Sequence, residues 1–398
     1  MRKSLAPTRP ITALALAAAV IIPTLTASTA ASAASSPAAG LATDTAYQIS
    51  ISHDGYSGDT TIAPPLTSRW THSFTGLVSY PLIADGLVFV TVADVSSGYG
   101  TDLYALSQTD GSVVWSQFIS GTYFWSNATY DNGQVFVVNY DGLMRAYSAT
   151  TGTQNWSAQL PGEYAFSSPP TADGGVVYVG GAGGGGILYA VSETDGSVLW
   201  TEGVANGDNS SPALSSTSVF VSYACDYAYS FARATGQLQW ATSPPCEGGG
   251  GKTPVYHNGL LYIRDAIQGN QILNATTGQE QGTFVSSTAP AFAGKTGLFM
   301  SSGTLSASVG HRTVWTFTGD GGLDTAPIVV GTTVYVGSSS GMVYGLNISK
   351  GKVVWSANAG SPINGPDEQN VSSPLTGLGA GQGLLVVPAG DQLAAYGG

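Results

Sequence analysis

Thr332–Ala357 reads TTVYVGSSSGMVYGLNISKGKVVWSA. It breaks into three short β-branched and aromatic runs, Val334–Gly337, Met342–Leu346 and Lys352–Trp355, separated by Gly/Ser/Asn turns. Runs of this length between such turns are strand signals. The last run closes on a Trp four residues after a Gly, and no helix-period segment interrupts the series.

Working outward, the unit recurs. Leu103-Tyr104-Ala105-Leu106 precedes Asp110-Gly111 and Trp115, Met144–Tyr147 precedes Thr151-Gly152 and Trp156, and Leu188–Val191 precedes Asp195-Gly196 and Trp200. Tyr229–Phe231 precedes Thr235-Gly236 and Trp240. The fifth copy keeps Thr277-Gly278 but has Gly282 where the Trp belongs, and the sixth is shortened before Trp315. From Trp70 to Trp355 the marker positions are 45, 41, 44, 40, 42, 33 and 40 residues apart. A period near forty with several strands per unit marks a propeller or a similar array.

These motifs resemble the PQQ-like (quinoprotein-type) β-propeller repeat family, in its secreted bacterial branch, over about residues 65–398. The resemblance implies an all-β fold of four-stranded blades round a channel, with Trp70, Trp115, Trp156, Trp200, Trp240, Trp315 and Trp355 docking each blade on its neighbour. Seven modules end at the marker positions after Trp70, and an eighth stops at Tyr396 without its Trp strand. The Trp70 strand is expected to complete that last sheet and close an eight-bladed ring, because an open ring would leave two bare edges. Seven blades with one module expelled is the alternative.

The chain of 398 residues carries 24 acidic and 12 basic side chains, a net charge of −12. Removing Arg2, Lys3 and Arg9 would bring it to −12 − 3 = −15. Binding to nucleic acid or to anionic lipid through bulk charge is excluded on this balance. Residues 1–33 read as a signal peptide: a basic start, the apolar run Ile11–Ile22, and Ala31-Ser32-Ala33 before the cut. That run is too short for a comfortable membrane span, and no other stretch could make one. Residues 34–64 read as a linker and lead-in. The mature protein is expected to be exported, extracellular or cell-wall associated, and monomeric. Its two cysteines, Cys225 and Cys246, are expected to form a disulfide worth roughly 3 kcal/mol.

In a propeller, the loops leading into the innermost strands and those joining second to third strands share one face. Here that face, the mouth, gathers carboxylates, aromatics and two cations. The candidate ligand-binding residues are Trp125, Glu163, Tyr164, Asp208, Lys252, Arg264, Asp320, Asp324, Asp367 and Glu368. Trp125 is the one Trp out of phase, and reads equally as a platform or as packing. The expected function is recognition of an extracellular glycan, cell-wall component or protein. The rival is a carbohydrate-active enzyme using Asp320, Asp324, Asp367 or Glu368, since glycoside hydrolysis needs two carboxylates at a set distance. A polysaccharide lyase could draw on Tyr123 or Tyr164 with Lys252 or Arg264. No metal-ligand spacing is present, no cofactor is expected, and bound calcium is left open. The adjacent Cys pair of PQQ-dependent dehydrogenases is missing, which speaks against quinone binding.

Overall fold

The computed structural model describes residues 42–93, 98–205, 210–244, 250–265 and 268–398. Asp208 and Cys246 lie outside them. Thirty-two strands form eight four-stranded antiparallel sheets, and one further short strand joins the seventh. The blades span residues 82–120, 126–159, 171–203, 213–241, 255–284, 291–317 and 328–358, and they are numbered 1 to 7 in that order. Blade 8 combines Gly379–Gly381, Leu384–Ala389 and Gln392–Gly397 with Thr67–Ser73 from the front of the chain. Ser68 pairs with Tyr396 and Trp70 with Ala395, so the ring closes as expected and the count is eight.

The strands differ by their place in a blade. A second strand such as Leu87–Ala93, covered by blades on both faces, is buried at every position. The outermost strand Val113–Ser120 buries only Trp115 and Ile119 fully. In all eight outermost strands a bulge comes directly before the marker position. It turns the marker side chain towards the next blade.

Each of the seven marker Trp residues donates its indole N–H to a carbonyl of the following blade, at 2.7–3.1 Å. A buried indole needs such an acceptor. In six of the seven the ring lies on a turn glycine: a Cβ on Gly111 or Gly152 would stand 2.6 Å from Trp70 or Trp115. Both glycines also have φ near +70°, so two constraints select the same residue. At the junction of blades 5 and 6 the marker position is Gly282, paired with Ile272, and no indole bridges it.

The segment read as a lead-in proves to be structural. From Ala42 to Asp59 it runs round the inner edges of the blades. Gln382 donates to Ala42, Asp44 bridges Ile83, and Tyr130 donates to Thr45. Leu214, Tyr256, Phe292 and Val329 then donate to Ile51, Ser52, Asp54 and Gly55 in turn. Tyr56–Ser57 adds a short parallel strand to blade 7, and Asp59 accepts from Gly383 in blade 8. His53 is buried, with its ring nitrogens 2.6 Å from the Tyr47 carbonyl and 3.0 Å from that of Pro212. Burial pulls its pKa down, against those two bonds.

Three expectations follow. Trp115→Ala or Trp156→Ala should destabilise by about 3–5 kcal/mol, read by urea unfolding. Deleting residues 42–59 should lower Tm and speed amide exchange in Tyr130, Leu214, Tyr256 and Phe292, whose N–H groups would lose their partners. The third concerns Glu193, buried at the junction of blades 2 and 3. Burial, then the charge of Asp131, pushes it up to about 7, against bonds from Asn132 and Gly175. The unfolded chain releases this proton near 4.5 and the folded protein only near 7. This group's contribution is therefore full below 4.5 and is lost as pH rises through that window. Glu193→Gln should flatten that part of the stability profile.

Candidate functional site

The mouth is held together by a buried ion pair. Glu368, in the connection between blades 7 and 8, lies 2.7 Å from the Arg264 guanidinium of blade 5. Its other oxygen accepts the Thr253 N–H at 2.9 Å. Arg264 also donates to the Thr253 and Ser287 carbonyls, each at 3.2 Å. The pair bears on the channel segment. The Tyr47 phenol is pushed well up by burial and by the Glu368 charge, with Arg264 opposing. Half-buried Lys252 is pushed down by burial and by Arg264, against the pull of Glu368.

The other carboxylates hold loops. Asp320 accepts from Ser338, Ser340 and the Gly322 N–H; burial opposes ionisation, but these bonds outweigh it and lower the pKa. Asp324 accepts the Gly365 N–H at 2.9 Å, and Asp367 closes a turn on the Gln369 N–H. Glu163 is buried and takes the Gly184 N–H. Asp367 alone of the candidates lines a 210 Å³ cavity, beside Leu77, Asn364, Asn370 and Thr376. Asp226 is pushed up to about 6 by burial and then by the charges of Asp265 and Glu280. The Cys225 N–H donates to Asp265.

The aromatics sort differently from the sequence reading. Trp125 is 2 % exposed and packs in the core between blades 2 and 3, out of reach of any ligand at the surface. Tyr164 stands 69 % exposed with its ring over Gly183. Tyr99 (62 % exposed) meets Phe124 at 5.0 Å and Tyr123 at 6.4 Å, and Tyr123 meets Tyr140 edge-on at 4.5 Å. Exposed Phe118 lies against Gly100 nearby. The sequence reading missed Tyr99, Phe118 and Tyr140. Tyr99 and Tyr140 stand in second-to-third-strand loops that it had already placed on this face, and their ring contacts with Tyr123 and Phe124 were the missing link.

Fold and mouth together define an eight-bladed propeller of the PQQ-repeat class. The chain belongs to the family described as outer membrane protein assembly factor BamB, whose model matches residues 66–281 and 184–387. It is 26 % identical to outer membrane protein assembly factor BamB of Moranella endobia over 267 residues, 63 % of each chain. It is 24 % identical to that of Yersinia pestis over 302 residues, 72 % of this chain and 70 % of the other. A tetrathionate hydrolase of Acidithiobacillus ferrooxidans is 25 % identical over 209 residues, 47 % of this chain and 42 % of that one. The chain thus spans under two thirds of the length of the first and third of these relatives.

Among solved structures, BamB of Moraxella catarrhalis superposes with a TM-score of 0.63 at 18 % identity, over 84 % of this chain and all of that one. A europium-containing methanol dehydrogenase gives 0.66 at 13 %, over 89 % and 98 %. These likenesses show the fold. Tyr47, His53 and the Arg264–Glu368 pair are all buried. Among the described residues no group of three or more His, Cys, Asp or Glu side chains could hold a metal ion, and no helix is long and apolar enough to cross a membrane.

Removing one member of a buried pair leaves the other charge uncompensated. Glu368→Gln is expected to destabilise by about 3–5 kcal/mol, and the double variant with Arg264→Met should recover much of it in a urea double-mutant cycle.

Proposed function

We propose that the protein is an exported propeller that holds a protein partner against the mouth above blades 1 to 3. The observation carrying this reading is the aromatic patch of exposed Tyr99, Tyr123 and Phe118 with half-buried Phe124 and Tyr140 in ring contact beside them, and exposed Tyr164 on the loop entering blade 3. Contiguous exposed aromatics mark interaction sites, and Tyr is among the residues that dominate binding energy at protein interfaces. The relatives named as outer membrane protein assembly factors favour a protein as the occupant over a glycan. In this reading Asp141, which accepts the Thr122 N–H, and Glu163, which accepts that of Gly184, hold the loops that carry Tyr123 and Tyr164.

The reading includes cleavage after residue 33, a propeller domain over 65–398, and a monomer in solution. It also includes a Cys225–Cys246 disulfide, favoured by the absence of a free thiol among the described residues and by export to an oxidising compartment.

Cross-linking from Tyr99 and Tyr123 positions, followed by mass spectrometry of exported fractions, identifies the partner. Tyr99→Ala and Tyr123→Ala should each weaken its binding at least about tenfold with Tm unchanged. Binding left intact in the double variant, or retention of the wild type on a glycan array in place of a protein, would overturn the reading.

A further inference from the structure

Seven of the eight blade junctions are filled by an indole, and the eighth is not. At Gly282 the backbone repeats the marker geometry, with the bulge at Gln281 and the pairing to Ile272, but a Cβ there would meet nothing within 4 Å. The opposing turn glycine, Gly310, is equally bare, whereas Gly111, Gly152, Gly196, Gly236, Gly278 and Gly351 each lie under an indole. In blades 1, 2, 3, 4 and 7 that indole faces an aromatic of its own second strand, with centroids 5.8–6.3 Å apart. Blade 5 keeps its half of the pair as Tyr262.

The missing ring leaves an open cleft of 570 Å³, walled by Tyr262, Phe284, Phe299 and Ile272, with Val285 73 % exposed beside it. Such a volume takes one aromatic ring together with flanking atoms. The rim carries basic side chains in an otherwise acidic protein. His311 lines this cleft, and Lys295 and His257 line the cavity that adjoins it across Tyr262 and Phe299. Burial works against protonation of His257, but the Asp54 carboxylate and the Gly294 carbonyl bonded to its ring outweigh it and raise its pKa.

We propose that the cleft between blades 5 and 6 binds a segment of a partner polypeptide that inserts an aromatic side chain, indole above all, with a carboxylate beside it. The incoming ring takes the position that the protein's own Trp holds at the other seven junctions, against Tyr262 and Gly310. The neighbouring carboxylate meets the His311–Lys295 rim. The choice of a polypeptide rests on the protein-binding reading above; the shape and chemistry of the cleft do not.

The test is calorimetric titration of the full chain with N-acetyltryptophan, N-acetyltryptophanamide, N-acetylleucine and an acidic tripeptide with a central tryptophan. The tripeptide should bind tightest and N-acetyltryptophan more tightly than the amide, with N-acetylleucine at least tenfold weaker than N-acetyltryptophan. Gly282→Trp should abolish binding by filling the cleft from within. Its φ of 156° suits glycine better than tryptophan, so Ser308→Phe, which blocks the cleft from the opposite wall, is the second variant. No saturable binding to the folded wild type, or binding unaffected by a folded variant of either kind, overturns the site. A tripeptide that binds no better than N-acetyltryptophan overturns the polypeptide occupant and counts against the protein-binding reading, while leaving a small-molecule aromatic site.

Discussion

A sheet edge presents backbone N–H and C=O groups that water or another strand must satisfy, and a ring of blades has eight such edges pointing inward. Residues 42–59 bond the inner sides of blades 1, 2 and 4 to 8. The donors of Tyr130, Leu214, Tyr256, Phe292 and Val329 all find carbonyls of that one segment. Closure of the ring solves the other half of the problem, since Thr67–Ser73 takes the edge that Gln392–Gly397 would otherwise expose. One stretch of about thirty residues at the front of the propeller therefore ties the first and last blades together.

The outer junctions obey a different constraint. Burying an indole demands an acceptor, and the bulge before each marker Trp aims its ring at a carbonyl of the next blade, in six cases over a turn glycine. Each junction is thereby specified by a local pattern that needs only its neighbour. Such modularity tolerates a defect. The junction at Gly282 has lost its indole, yet blades 5 and 6 remain packed through Tyr262, Phe292 and Phe299.

The mouth shows how carboxylates can order the loops of a polar face. Asp320, Asp324, Asp367, Glu163 and Glu368 each accept hydrogen bonds from the loops around them. Asp320, Asp324 and Asp367 stay exposed while doing so, and three tyrosines are exposed as well. Tyr99, Tyr123 and Tyr164 are exposed in a chain whose other large rings are mostly packed between blades.

The blade count, the ring-closing strand and the docking role of the seven marker Trp residues were legible in the sequence, because each depends on a periodic pattern and on bonds between consecutive modules. The site was legible only in part. Tyr123 and Tyr164 lay in loops that register alone assigns to the mouth, but the grouping of Tyr123 with Tyr99 and Tyr140 depends on loops from different blades meeting in space. The burial of Trp125, the Arg264–Glu368 pair across 104 residues of chain, and the threading of residues 42–59 round the inner edges were decided by tertiary structure. None of these has a local sequence period. The first follows from the packing of blade 2 on blade 3, and the others from the need to satisfy buried charges and inner backbone edges that exist only once all eight blades are in place.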